Sequence, residues 1–186
     1  VVRNENPKNN FLDKVRNLAS KKNIVLVFDE CTTGFRETYG GIYKKYKVNP
    51  DIVIYGKALG NGYSITSVVG KKQIMESAQK TFISSTFWTE RIGPVAALKT
   101  LETMEKTSSW EIITHNGNIM RKGWNELAKK YDLEIVISGI PSLSNFRFNS
   151  DNNQAYMTFI TQEMMKYGYL SSGRFYPCIK HNEKNK

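Results

Sequence analysis

The sequence predicts an α/β protein: part of a large, mainly parallel sheet covered by helices, followed by a smaller α+β region. Three observations carry this. Two short apolar runs, Ile24–Phe28 and Ile52–Tyr55, show no polar alternation, the pattern of strands buried on both faces. An amphipathic segment precedes the first run and forms an αβ unit with it. In the last third, a long helical stripe, two strand-like runs and another helix follow each other in α+β order. The change of pattern places a boundary near residue 106, giving expected regions 1–105 and 106–186.

Taken in order, Asn10 to Lys22 reads as a surface helix, with Phe11, Leu12, Val15, Leu18 and Ala19 at spacings of three and four. It feeds the strand that ends at Asp29. Thr32 to Gly41 reads as a loop, with Gly34 and the Gly40-Gly41 pair permitting turns. Asn49-Pro50-Asp51 punctuates before the second strand. A third strand is expected from Ile65 to Val69 and a short helix from Lys71 to Gln79. A hydroxyl-rich stretch, FISSTFWTERIGP, then precedes a helix carrying Ile92, Val95, Ala96, Leu98 and Leu101. From Ser108 to Tyr131, Trp110, Ile113, Gly117, Met120, Trp124, Leu127 and Tyr131 form an amphipathic stripe, and Ser108 with Glu111 has capping-box spacing. Strands are expected at Leu133–Ser138 and Leu143–Phe148. A helix from Asn153 to Tyr167 is stopped by Gly168.

Composition narrows the class. At 40% hydrophobic and 12% aromatic residues, the chain belongs with globular proteins rather than disordered ones. No stretch approaches the ~20 apolar residues that span a bilayer, and the polar start VVRNENPKNN is no signal peptide. Two cysteines without metal-type spacing fit a reducing cytoplasm. With only two histidines, His115 and His181, set far apart in the sequence, neither a metal site nor a triad is expected. Lys and Arg outnumber Asp and Glu by 27 to 17, for a net charge of +10, which is the only support for a nucleic-acid-binding role. The lysines are scattered in pairs, with no RNP motif, zinc-finger spacing or basic arm, and they read as solvated surface. Neither nucleic acid nor membrane is therefore an expected partner.

The chemistry-bearing residues stand where the two apolar runs end. Asp29 closes the first, inside VFDECTTGFR, and Lys57 follows the second, inside PDIVIYGKALGNG. Parallel sheets bind ligands beyond the carboxyl ends of their strands, so one carboxylate and one amine are expected at a common rim. Each residue alone is unremarkable, Asp as a cap or turn residue and Lys as solvated surface. Gly60 and Gly62 follow Lys57 without forming a phosphate fingerprint.

Together the two motifs resemble the class III branch of the fold type I pyridoxal-phosphate (PLP) aminotransferases, and the stretch WTERIGP looks most like glutamate-1-semialdehyde aminomutase-like proteins and sugar- or lipid-pathway relatives. The resemblance implies that Lys57 forms the Schiff base with the cofactor aldehyde and that Asp29 pairs with the pyridine nitrogen. The residue types suit those roles. Only a primary amine forms a Schiff base with an aldehyde, and a carboxylate beside the ring nitrogen favours its protonated, electron-withdrawing form. Once displaced by substrate, Lys57 is free to act as a general base. The resemblance further implies that Cys31 lies against the cofactor ring, where family members usually carry an aliphatic residue. It also implies that Thr86 reaches the cofactor phosphate of the neighbouring subunit, making the functional unit at least a homodimer, with Thr89 as the runner-up. Arg174 offers a bidentate partner for a substrate carboxylate, but a local backbone or surface role is the commoner one for such an arginine.

The resemblance covers essentially the whole chain, yet the family's chains are more than twice as long. The missing part includes the loop that grips the phosphate at a helix N-terminus. The chain is therefore expected to be a fragment, binding PLP weakly or not at all by itself. The expected activity of the whole protein is amino-group transfer on an amino/keto or aldehyde substrate, as a transaminase or an aminomutase. The alternatives are an inactive relic serving as a scaffold and, last, a basic nucleic-acid-binding protein.

Overall fold

The computed structural model describes residues 5–87 and 90–181. Two compact units account for them, Asn6–Trp110 and a second running from Glu111 onward. Each is described by itself.

The first unit begins with helix α1, Phe11–Lys21, whose Leu12 and Ala19 are buried. The buried face is narrower than the sequence spacing implies, since Phe11 and Leu18 stay exposed. Strand β1 is only Val27–Asp29, shorter than the apolar run that precedes it. It pairs in parallel with β2, Ile52–Tyr55, in the register Val27↔Ile52 and Asp29↔Ile54. Strand β3, Ser67–Gly70, adds antiparallel to the other edge of β2. Between β1 and β2 lies one short helix, α2, Tyr43–Tyr46. After β3 come α3, Lys72–Met75, a 3-10 turn, and the long helix α4, Ile92–Thr107.

The expectation that both apolar runs are buried on two faces is corrected by this sheet. Phe28, Val53 and Tyr55 are buried, and their side chains alternate with Val27, Asp29 and Ile54 on the opposite face. There Val27 is 45% exposed and Val68 52% exposed. The physical cause is that the core clusters gather on the first face only. Phe35, Val53, Tyr55 and Leu59 meet Ala97 of α4, while Phe28 meets Leu12 of α1 and Val48. Asp29 thus stands on the open face of the sheet.

A buried carboxylate ties this unit together. Asp51 accepts hydrogen bonds from the Leu26 N–H at 2.8 Å, from Arg16 Nη1 of α1 at 2.8 Å and from Lys71 Nζ at 2.7 Å. Burial alone would push its carboxyl up; the Leu26 N–H, Lys71 and Arg16 overcome that and hold it well below the usual carboxylate range. A pKa depressed by folding stabilises the fold fully above the unfolded value of about 3.9, and the contribution fades as pH falls below it towards the folded value. Asp51→Asn is expected to cost about 2 kcal/mol at neutral pH. Urea midpoints of wild type and variant should differ at pH 7 and converge at strongly acidic pH.

In the second unit, helix α5, Ser109–Lys130, is followed by an antiparallel sheet of β4, Ile135–Ser138, β5, Ser144–Phe148, and β6, Arg174–Phe175. Helix α6, Asn153–Lys166, packs on β5. A row of rings fastens these elements, from Trp124 to Phe146 at 4.8 Å and from Phe148 to Tyr156 at 5.3 Å between centroids. Gly117 of α5 lies so close to the Pro141 carbonyl that any Cβ would collide with it. Helix α5 begins at Ser109, directly after Ser108, as the capping-box spacing implies. Ser108 also ends α4, in left-handed backbone at φ 48°, its N–H turned back to Glu105 O. Gly168, at φ 82°, follows α6 where a C-terminal stop is expected.

Candidate active site

The site is built from two loops that leave the ends of β1 and β2. Strand β1 ends on Asp29 itself, and one carboxylate oxygen, Oδ1, accepts the Cys31 N–H at 2.9 Å. This short turn folds the chain back immediately after the strand and fixes the direction of the carboxylate. The next residue, Glu30, is fully buried. Its Oε2 accepts the Thr33 hydroxyl at 2.5 Å, its Oε1 accepts the Tyr43 N–H at 3.1 Å, and its carbonyl accepts the Gly34 N–H at 2.7 Å. A buried acid satisfied in this way acts as a pin under the loop, because removing any one bond would leave a costly unpaired group.

Lys57 is reached from the other strand. β2 ends at Tyr55, whose ring sits in the core against Phe35 at 5.0 Å between centroids. Burial, with the Tyr43 phenol beside it, keeps the Tyr55 hydroxyl protonated far above neutrality. Gly56 then passes so close to Cys31 that an added Cβ would lie 2.6 Å from the sulfur. Only glycine lets the two loops approach like this. Lys57 opens a 3-10 turn, Lys57–Leu59, closed by the Leu59 N–H on Gly56 O at 3.0 Å, and Leu59 is buried beside Ala97 of α4. Lys57 is therefore anchored by core residues two positions before and two positions after it.

Its own backbone is left-handed, at φ 44°. A long side chain gains nothing from that conformation, which costs roughly 1–2 kcal/mol for a residue with a Cβ; such strain gathers at working sites. The amine donates to Thr32 Oγ1 at 2.6 Å. Among the described residues Lys57 has no carboxylate partner.

The structure thus brings Asp29, Cys31 and Lys57 to the same end of the parallel pair β1–β2. Thr86 lies exposed in the turn before α4, and Thr89 falls outside the described residues. Arg174 is an exposed residue of β6 in the second unit, opposite Asn145. Cys31 is half-buried with a free thiol. Among the described residues no three His, Cys, Asp or Glu gather as metal ligands, and no helix is long and apolar enough to cross a membrane. Nothing in the sequence singles out Thr32 or Glu30. Both stand inside the DECTTG string, but their roles come from contacts across loops, for which spacing carries no signal.

The match to known proteins decides the family. The model of the class III aminotransferases fits residues 5–170. The chain belongs to the class III aminotransferases. It is 36% identical over 177 residues to a 3-aminobutyryl-CoA aminotransferase of Cloacimonas acidaminovorans, covering 95% of this chain and 40% of that protein. It is 29% identical over 195 residues to a glutamate-1-semialdehyde 2,1-aminomutase of Methanococcus maripaludis, covering 96% of this chain and 45% of that protein. The FumI protein of Sphingopyxis sp. MTA144, solved with PLP, superposes with a TM-score of 0.86 at 21% identity, over 94% of this chain and 43% of that one. The fold is therefore that of the fold type I PLP-dependent enzymes. This chain spans less than half the length of each of these proteins.

The class III donor set fits the residues present. PLP needs an amine for its aldehyde and a carboxylate for its ring nitrogen. Lys57 could offer the amine, which a neutral hydroxyl holds, and Asp29 could offer the carboxylate from the neighbouring strand end.

Proposed function

We propose that the chain is the lysine-bearing part of a PLP-dependent enzyme that moves an amino group on a small amino/keto or aldehyde substrate. The observation that carries this reading is the delivery of Asp29 and Lys57 to one end of the parallel pair, with Asp29 beside Ile54 and Lys57 three residues beyond it. PLP, when bound, supplies the electron sink that makes a substrate carbon acidic. Lys57 anchors the cofactor through Nζ and, once displaced, moves a proton at that carbon as general base. Asp29 holds a proton at the ring nitrogen. Cys31, wedged against Gly56, packs beside the ring. The activity is that of the whole protein, in which this chain works beside the remainder of the family's length.

Thr86 completes the assignment across a homodimer, its hydroxyl donating to the phosphate held by the neighbouring subunit. Its exposed place before α4 is compatible with reaching a partner. Thr86→Val is expected to weaken PLP binding about tenfold, the worth of one charge-assisted hydrogen bond, and to leave the monomer fold intact. Fluorescence titration of the apo-protein with PLP measures this; unchanged affinity would remove Thr86 from the phosphate site.

Relatives of both kinds, an aminotransferase and an aminomutase, match over nearly the whole chain. The experiment that tests the proposed function and separates these two activities is turnover of a single amino-aldehyde substrate with and without a keto-acid acceptor. A transaminase requires the acceptor, whereas an aminomutase does not. Absence of any PLP-dependent turnover in the whole protein would favour a relic that has kept only the fold.

A further inference from the structure

Thr32 contributes more than loop structure to this site. Building on the function proposed above, we propose that Thr32 is a working residue of the same reaction: its hydroxyl holds and aims the Lys57 amine before capture of the cofactor and again when substrate has displaced it. The contact is short, with Lys57 Nζ donating to Thr32 Oγ1 at 2.6 Å. A carboxylate in that place would pin the ammonium proton and oppose reaction. A hydroxyl carries one donor and two acceptor lone pairs. It accepts from the ammonium and, by rotating, donates to the lone pair of the neutral amine, so the amine stays placed in both states.

The residues on both sides of Thr32 are themselves tied down. The Cys31 N–H is bound to Asp29, and Thr33 and Gly34 are bound to the buried Glu30. A Cβ on Gly34 would lie 2.7 Å from both Glu30 O and the Tyr55 ring, so the loop has little room to shift. The turn that directs the Asp29 carboxylate therefore also directs the partner of the Lys57 amine. One loop sets both ends of the cofactor site.

The test compares Thr32→Val and Thr32→Ser in the whole protein by two measurements. The first is the rate at which apo-protein captures PLP, followed by its visible absorbance. The second uses acetic anhydride without cofactor and reads acetylation of Lys57 relative to the exposed Lys99 and Lys122 by peptide mapping. Thr32→Val is expected to slow PLP capture about tenfold or more through lost orientation, while raising Lys57 acetylation about twofold because the amine is released from its hydrogen bond. Thr32→Ser should stay within about threefold of wild type in capture, since the hydroxyl remains. The opposite directions distinguish loss of aim from loosening of the fold, which would raise acetylation of many lysines together. Thr32→Ala repeats the comparison without added bulk. Wild-type capture and acetylation in Thr32→Val, or equal slowing in Thr32→Ser, would overturn the proposal. If wild type captures no PLP on Lys57, the proposed function fails instead, and the acetylation ratio alone decides whether Thr32 holds the amine.

Discussion

Lys57→Ala is expected to abolish both the visible absorbance of the PLP-loaded protein and its turnover, the latter by about 10⁴-fold. No neighbouring side chain can substitute. Thr32 offers a hydroxyl and Cys31 a thiol, and neither gives the stable nitrogen link to an aldehyde that an amine gives. The loss is chemical rather than structural, because Lys57 is exposed and its only side-chain hydrogen bond among the described residues is to Thr32, while the bonds its carbonyl accepts survive the substitution. Stability provides the control. At φ 44° an alanine keeps the left-handed strain, whereas glycine adopts that backbone freely. Lys57→Gly should therefore unfold at higher urea than Lys57→Ala, by about 1 kcal/mol, while both are inactive. Equal stability of the two variants would mean that the left-handed conformation is not a cost paid for placing the amine.

Asp29→Asn is expected to leave PLP attached and to lower kcat by roughly 10²- to 10³-fold, the cost of losing one preorganised electrostatic partner. The substitution is informative because Asn keeps an oxygen that can accept the Cys31 N–H, so the turn after β1 survives while the charge is lost. Asp29→Ala removes both and should also weaken PLP binding through the loosened loop. Near-normal turnover in Asp29→Asn would take the carboxylate out of the mechanism.

How much of this was readable in the residues follows from where the information resides. β2 was legible residue for residue, since Pro50 and Gly56 bound an apolar run that coincides with the observed strand. The α1, α4 and α5 helices were legible from the spacing of their apolar residues, and the end of α6 from Gly168. β1 was overestimated because its extent is set by its partner: Leu26 O already accepts from Asp51 and Ile52 N–H, and the ladder starts only at Val27. β6, two residues long, has no pattern to read. Burial of the strands on both faces was inferred from unbroken apolar character, and Val27 and Val68 show that such character can stand on an open face.

The site divides in the same way. The placement of Asp29 and Lys57 at one rim was legible because Asp29 ends β1, Lys57 stands just beyond β2, and each carries a flanking motif. The buried Glu30, the approach of Gly56 to Cys31 and the Thr32–Lys57 hydrogen bond join residues from separate segments. Such pairings arise only when β1 and β2 lie side by side, so no spacing within one segment announces them.

The most direct test is borohydride reduction of the PLP-loaded whole protein, followed by peptide mapping of the modified lysine. The account predicts a single pyridoxyl group on Lys57, within the GKALGNG peptide. A pyridoxyl group on any other lysine, with Lys57 unmodified, would contradict it.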